Sequence, residues 1–557
     1  MTSLLRIPLF CFVVFMLSSC MKLGINIYNK TPSKAAKLPA FTHADSLLGY
    51  NNSKRSAFDV THYDIDLKIN PTTKSIAGKV TTRFMFNGEG NSNVIQLDLA
   101  KQLIIDSIIG GAESLSYTRD EQAVFITLKS TKTEQSVCVY YHGIPKPANR
   151  PPWEGGMVWK KTPSGVDFCG VSCEGDGAQI WLPVKVWLGD EPDSADMHFT
   201  VPAPLVAVSN GVLKGIVHKD SLTTYHWKTR YPINTYNITF YLADYQLFEK
   251  EYTYTGGTTS KQQFFVLPQH LQVAQHHFNQ VDSVLQVYEK KFGTYAWQKE
   301  PYKLVESPYE GMEHQTAIAY GSGFKNRGQI KDYIIVHETA HEWWGNALSV
   351  ADFRDVWLHE GFATYSEAVF VEEYYGYNSY LNYMRSIYFT IMNRKPVRGP
   401  EGVYYWNYKD GDLYMKGAAT LHALRSQMQN DKLFFEILST FYSENIGKIV
   451  TTEQFISLVN QKTGKDYQPL FTQFLDNRAS IKMNYKIVHD TKQNAYFLEY
   501  DAERLVQNFE PKIKLNYGGE TMYVDLKSTK SRVRLPGSDL KLLQVNTDNF
   551  YLQVHKN

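Results

Sequence analysis

A chain of 557 residues is longer than one hydrophobic core usually serves, so several domains are expected. Its 43% apolar and 20% charged residues and formal charge of +2 exclude an intrinsically disordered chain and a basic surface built for nucleic acid. Aromatic residues make up 14%, with 38 Tyr among them, which suits extensive β-structure.

In chain order, Arg6 precedes an apolar run from Ile7 to Leu17, too short to span a membrane but sized for the core of an export signal. Leu17-Ser18-Ser19-Cys20 resembles a bacterial lipobox. Residues 1–19 therefore read as a signal peptide and Cys20 as a lipidated anchor, giving an exported, membrane-attached protein facing the periplasm. An ordinary cleaved signal with an incidental Cys is the alternative. Residues 20–55, rich in Lys, Ser, Asn, Pro and Ala, read as a flexible tether. Of the remaining cysteines, Cys169 and Cys173 are a candidate local bridge or a pair of isolated thiols, with Cys138 left over.

Alternation begins at residue 56. Tyr63, Ile65, Leu67 and Ile69 share one face, and strand-like runs follow at 80–86, 94–99, 123–128 and 137–141 and again between 199 and 248. Residues 56–248 are expected to form an all-β domain. Helical spacing takes over at 268–291, 332–348, 355–375, 413–428, 431–442 and 452–461, so residues 249–478 read as a helix-rich domain. Alternation returns at 482–488, 496–500, 512–515, 522–526 and 542–545, a small β-domain over 479–557. The fold class is multidomain α+β.

His337-Glu338-Thr339-Ala340-His341 carries the sharpest chemistry. On a helix, residues four apart share a face, so the two imidazoles converge on one ion and the Glu beside them is placed to take a proton from water. A catalytic zinc needs a third protein ligand and an open fourth position. Glu360, on the next expected helix with 18 residues between it and His341, supplies that ligand. His359 is adjacent but points about 100° away, so it reads as a cleft or packing residue.

This pentad, with its glutamate in Trp357-Leu358-His359-Glu360-Gly361-Phe362-Ala363, resembles the aminopeptidase N family of gluzincins. Gly311-Met312-Glu313-His314 is similar to that family's Gly-x-Met-Glu-Asn, and Tyr414-Met415-Lys416-Gly417 to its Tyr-x-Lys-Gly. Weaker echoes are Ser209-Asn210-Gly211 and Cys173-Glu174-Gly175-Asp176-Gly177-Ala178. The resemblance implies a thermolysin-like catalytic domain holding one Zn2+ on His337, His341 and Glu360. It also implies Glu338 as general base and Tyr414 as oxyanion donor. Gly311, Met312 and Glu313, with Glu174, would bind the free N-terminus of a peptide substrate.

His314 and Glu310 stand where the family has Asn and Gly, Glu174 where it often has Gln, and Val186 where an Asp is common. The chain is expected to be a short form, without the large helical C-terminal domain of longer members. Thr364 and Glu367 are candidates to orient the ligands, and Trp343 and Trp344 read as packing. The expected activity is that of a zinc aminopeptidase. The alternatives are a zinc endopeptidase or epoxide hydrolase on the same frame, or an inactive peptide-binding lipoprotein.

Overall fold

The computed structural model describes residues 34–88, 93–130, 132–517, 519–536 and 543–557. The signal peptide and Cys20 lie outside the described residues. No described helix is long and apolar enough to cross a membrane.

The first strand, Phe58–Asn70, has the expected alternation, with Tyr63, Ile65, Leu67 and Ile69 all fully buried. It sits inside an eight-stranded sheet, antiparallel to Ser75–Phe86 on one side and parallel to Ser194–Pro202 on the other. A four-stranded sheet runs in the order Val206–Ser209, Phe240–Ala243, Asp167–Ser172, Gly156–Lys161. A three-stranded sheet of Val94–Asp98, Ala123–Thr127 and Tyr117–Asp120 adds to this half.

The tether expectation is corrected where the chain is described. His43–Gly49 is a helix closed by a capping box on Thr42, with Leu48 buried, and Ser53–Ser56 forms a further turn. Ala36 N donates to Arg394 O at 3.0 Å, so this segment is packed on the body. A polar composition concealed a few well-placed apolar anchors. The bridge between Cys169 and Cys173 is likewise absent, and both are buried thiols. Cys169 lies in a strand and Cys173 just past its end, so four extended steps separate them by ~13 Å, well beyond the reach of a disulfide.

A five-stranded mixed sheet, not expected from the sequence, accompanies the helices. Its order is Gln246–Thr253, Thr259–Val266, Tyr302–Glu306, Ile318–Tyr320, Gly311–Met312. Tyr302–Glu306 is buried at every position, so it lacks the period-two signature of a half-exposed strand. Gly311–Met312 is the edge strand, antiparallel to Ile318–Tyr320.

The helix expected over 332–348 is shorter. Tyr333–His341 starts at the Asp332 cap, which accepts from Ile334 N at 3.0 Å, and stops at the second histidine. Gly345, at φ +122°, then turns the chain into the strand Leu348–Val350. The segment expected as one helix over 268–291 is broken into Leu271–His277 and Gln280–Phe292. Trp357–Tyr375 runs through the core and ends at Gly376, and Tyr377–Thr390 follows as a separate helix.

Asp412–Met428 crosses the 357–375 helix at two glycines. A Cβ on Gly361 would lie 2.8 Å from the Gly417 Cα, and the converse distance is also 2.8 Å. Only bare backbone permits this approach, and it brings the stretches holding Glu360 and Tyr414 together.

Beyond residue 478 lie a four-stranded and a three-stranded sheet, containing the expected strands plus Ser531–Arg534 and Leu552–Lys556. Arg385 grips Asp548 through two bonds of 2.6 and 2.5 Å. Lys416 donates to Asn477 O at 2.6 Å and Arg478 O at 3.2 Å, tying the 412–428 helix to the chain leaving the helical region.

Burial pushes the Lys416 ammonium down to about 8 from an ordinary 10.5. Between those two values the unfolded chain binds the extra proton, so this group makes stability rise with pH from about 8. The parent's stability margin over Lys416→Met is therefore expected to widen by on the order of 1–2 kcal/mol between pH 7.5 and pH 9.5. Denaturant midpoints of both proteins across that range check it, and a constant margin would contradict it.

Candidate active site

His337 and His341 project from the same face of the 333–341 helix, as the four-residue spacing requires. Glu360 reaches them from the neighbouring helix. The His337 and His341 Nε2 atoms are 3.2 Å apart, and the Glu360 Oε2 lies 3.4 Å from each. An ion held tetrahedrally at about 2.0–2.1 Å has its ligands ~3.3–3.4 Å apart, so the triangle matches a small dication. His359, on the same helix as Glu360, is buried and its Nε2 has no partner among the described residues.

The other nitrogen of each imidazole is fixed. His337 Nδ1 donates to Glu367 Oε1 at 2.6 Å, and the Tyr383 hydroxyl donates to the same carboxylate. His341 Nδ1 donates to Trp344 O at 2.9 Å, which gives Trp344 a contact with the site besides its packing against Phe362. Trp343 is fully buried and donates to Gly293 O at 2.8 Å. Thr364 does not reach the ligands and is buried without a partner among the described residues. Removing the carboxylate in Glu367→Ala is expected to weaken zinc affinity roughly 10–100-fold, measured by chelator competition. Unchanged affinity would mean that Glu367 does not orient His337.

Glu338 lies between the histidines in sequence and beside the edge strand in space. A Cβ on Gly311 would collide with Glu338 Oε1 and lie 3.0 Å from Ile334, so the glycine makes room for this carboxylate. Oxygens of Glu313 and Glu338 and a ring nitrogen of His341 lie within 4.8 Å of one another. Met312 is buried beside them on the edge strand.

Glu174 is a further buried carboxylate, close to Glu313. Both Glu174 Oε1 and Glu313 Oε1 are without a hydrogen-bond partner among the described residues. The 412–428 helix brings the Tyr414 ring to 6.3 Å from that of His337, centroid to centroid.

Glu174, Glu313, Glu338 and Glu360 thus share one buried pocket, and none pairs with Lys or Arg among the described residues. Burial pushes Glu338 up to about 8, and burial also raises Glu174 and Glu313. Burial alone would raise Glu360, but hydrogen bonds from His337 and His341 carry it down to about 2. Burial, reinforced by Glu360 and Glu174, keeps the Tyr414 hydroxyl protonated. No Lys or Arg among the described residues brings positive charge to these carboxylates, and a dication with a cationic ligand group would supply it.

The chain carrying Glu313 is held from the β-rich half by residues that sequence reasoning left without a role. Asn346 Nδ2 donates to Glu313 O at 2.8 Å, and Asn237 Nδ2 donates to Asn346 Oδ1 at 2.8 Å. Asn210 Nδ2 donates to Gln315 O at 2.7 Å, and Gly211 N to Thr316 Oγ1 at 2.9 Å, which accounts for the Ser-Asn-Gly echo. His314 is fully buried, and its Nδ1 shares a 2.6 Å hydrogen bond with the Tyr241 hydroxyl, which donates to Ala317 O at 2.8 Å. This departure from the motif therefore serves as an internal clamp. Glu310 is partly exposed and pairs with Arg327 at 3.0 Å.

Residues 276–474 match the peptidase family M1 domain. Human endoplasmic reticulum aminopeptidase 2 is 24% identical over 253 residues, covering 41% of this chain and 25% of its own. Transcription initiation factor TFIID subunit 2 of Gallus gallus is 21% identical over 400 residues, covering 63% and 33%. The chain therefore spans a third or less of the length of these curated relatives. An M1 zinc metallopeptidase from Deinococcus radiodurans has the same fold, with a TM-score of 0.63 at 22% identity over 76% of this chain and 94% of that one. A point mutant of that protein is known with a Tyr-Ser-Ala substrate bound (TM-score 0.63, 22% identity, 76% and 95% coverage).

Proposed function

Because this chain belongs to the M1, or aminopeptidase N, family of zinc metallopeptidases, we propose that it is a zinc-dependent aminopeptidase removing the first residue from peptides. The observation that carries this reading is the pair of unpartnered, buried oxygens on Glu313 and Glu174 beside the metal-ligand triangle. An endopeptidase gains nothing from two uncompensated carboxylates at that place. A peptide's α-amino group, with an ordinary pKa of ~7.7–8.0, arrives as an ammonium and pairs with them.

His337, His341 and Glu360 would hold the zinc, which when bound would supply the Lewis acidity to polarise the scissile carbonyl and acidify the attacking water. Glu338 takes the proton from that water and passes it to the departing amine. Tyr414 donates its hydroxyl proton in a hydrogen bond to the carbonyl oxygen as charge gathers there. Glu313 and Glu174 hold the ammonium, which fixes the first peptide bond beside Glu338 and excludes blocked N-termini. Glu367 and the Trp344 carbonyl keep the imidazoles aimed.

We further propose that the enzyme is exported and anchored through Cys20 to a bacterial envelope, on the strength of the apolar run 7–17 and the motif ending at Cys20. Radiolabelled fatty acid incorporated by the parent but not by Cys20→Ala would support that anchor.

The activity is tested with a soluble form lacking residues 1–20, given aminoacyl-coumarins and their N-acetylated twins, with chelator and with zinc restored. Release from free aminoacyl substrates alone, lost on chelation and regained with zinc, is expected. Equal release from the acetylated twins would favour an endopeptidase and remove the ammonium anchor.

A further inference from the structure

Glu174 sits on a loop, whereas the other three carboxylates sit on helices or directly after the edge strand, so its aim depends on what holds that loop. Part of the answer is local. Cys173 O accepts from Asp176 N at 3.1 Å and from Gly177 N at 2.6 Å, closing a tight turn. Asp176 then accepts from Gly155 N at 2.6 Å and pairs with Lys146.

The remaining side of the turn is covered from far along the chain. A Cβ on Gly175 would lie 1.9 Å from Cε3 of the Trp406 indole, and one on Gly177 would lie 2.6 Å from the Tyr404 hydroxyl. Trp406 is only 8% exposed, and its Nε1 has no hydrogen-bond partner among the described residues, so ring packing alone seats it.

The segment that delivers Trp406 is itself tied at several points. Asp412, at the start of the helix bearing Tyr414, accepts from Met392 N at 2.6 Å and Asn393 N at 2.7 Å. Gly402 N donates to Asp352 at 2.7 Å, and Tyr404 N to Asp45 O at 3.0 Å. Tyr404 packs edge-on against Phe353 at 4.5 Å, and Trp406 lies 5.0 Å from the Tyr408 ring.

We propose that Trp406, seated on the bare backbone of Gly175, is a positioning residue that aims Glu174 at the substrate ammonium. The proposal rests on the ammonium-anchor reading given above. Burial and the nearby Glu313, Glu360 and Glu338 all disfavour charge on this loop carboxylate, and without a wall behind it the turn relaxes towards solvent. The indole is that wall. It acts on substrate binding through Glu174, and it touches neither the metal ligands nor Glu338.

Trp406→Ala should raise KM for free aminoacyl substrates roughly ten- to a hundredfold, the weight of a hydrogen bond to a charged group, with kcat changed by less than about threefold. Gly175→Ala, whose methyl displaces the ring, should do the same, and Trp406→Phe should restore most of the affinity. The decisive arm is Glu174→Gln alone and combined with Trp406→Ala, each checked for zinc content and thermal midpoint. Glu174→Gln should raise KM, and adding Trp406→Ala should then change it by less than about twofold, since the group being aimed is already gone. Full additivity of the two changes, or loss of kcat and zinc with no separate KM effect, would overturn the role of Trp406 and leave the anchor standing. A Glu174→Gln enzyme with parental KM would instead remove Glu174 from the anchor, and the inference with it.

Discussion

Glu338→Gln is expected to lower kcat by about 10²–10⁴-fold while the protein still binds one zinc. Glutamine keeps the shape of the side chain, so the tight space beside Gly311 and Ile334 stays filled. It cannot take up a proton, and proton movement is the whole task assigned to this group. Because Glu338 is not in the ligand triangle of His337, His341 and Glu360, metal content should not follow the activity down. Steady-state kinetics with metal analysis of the same preparation separates the two. If kcat fell by less than tenfold, the base would have to be another carboxylate, and Glu313 is the one within reach of both Glu338 and His341.

Tyr414→Phe is expected to cost about 10²–10³-fold in kcat, with KM and zinc content little changed. The ring is partly buried and leans against His337, so phenylalanine preserves the packing and removes only the hydroxyl. Burial and the nearby carboxylates hold that hydroxyl in its protonated form, the form able to donate. An effect confined to kcat identifies a bond made in the transition state. A raised KM with parental kcat would show that the hydroxyl binds the ground-state carbonyl instead.

The parts of the site readable from sequence are those made by local spacing. His337 and His341 are one helical turn apart, and Glu360 lies on the next core helix, so a short stretch of chain determines the triangle. The metal-centre side of the site was legible for that reason. The strand Tyr302–Glu306 was not, because complete burial erases its alternation. Nor were the contacts of Asn237 with Asn346 or of Trp406 with Gly175, which join segments distant in the chain and carry no periodic signature. The docked helix His43–Gly49 escaped notice because a polar segment needs few apolar residues to pack when its cap and backbone are satisfied.

The glycine contact between the 357–375 and 412–428 helices has a consequence for how such an enzyme diversifies. Glu360 stands one residue before Gly361, and Tyr414 three before Gly417, so one backbone contact sets the register between a metal ligand and an oxyanion donor. Any side chain added at either glycine pushes the helix axes apart and shifts both groups together. A slip by one turn would carry one of them ~5.4 Å away from the other. The chemistry is therefore locked as a unit that tolerates almost no drift. The contact of Gly175 with Trp406 involves neither group, so a change there alters how a peptide is held rather than how it is cut.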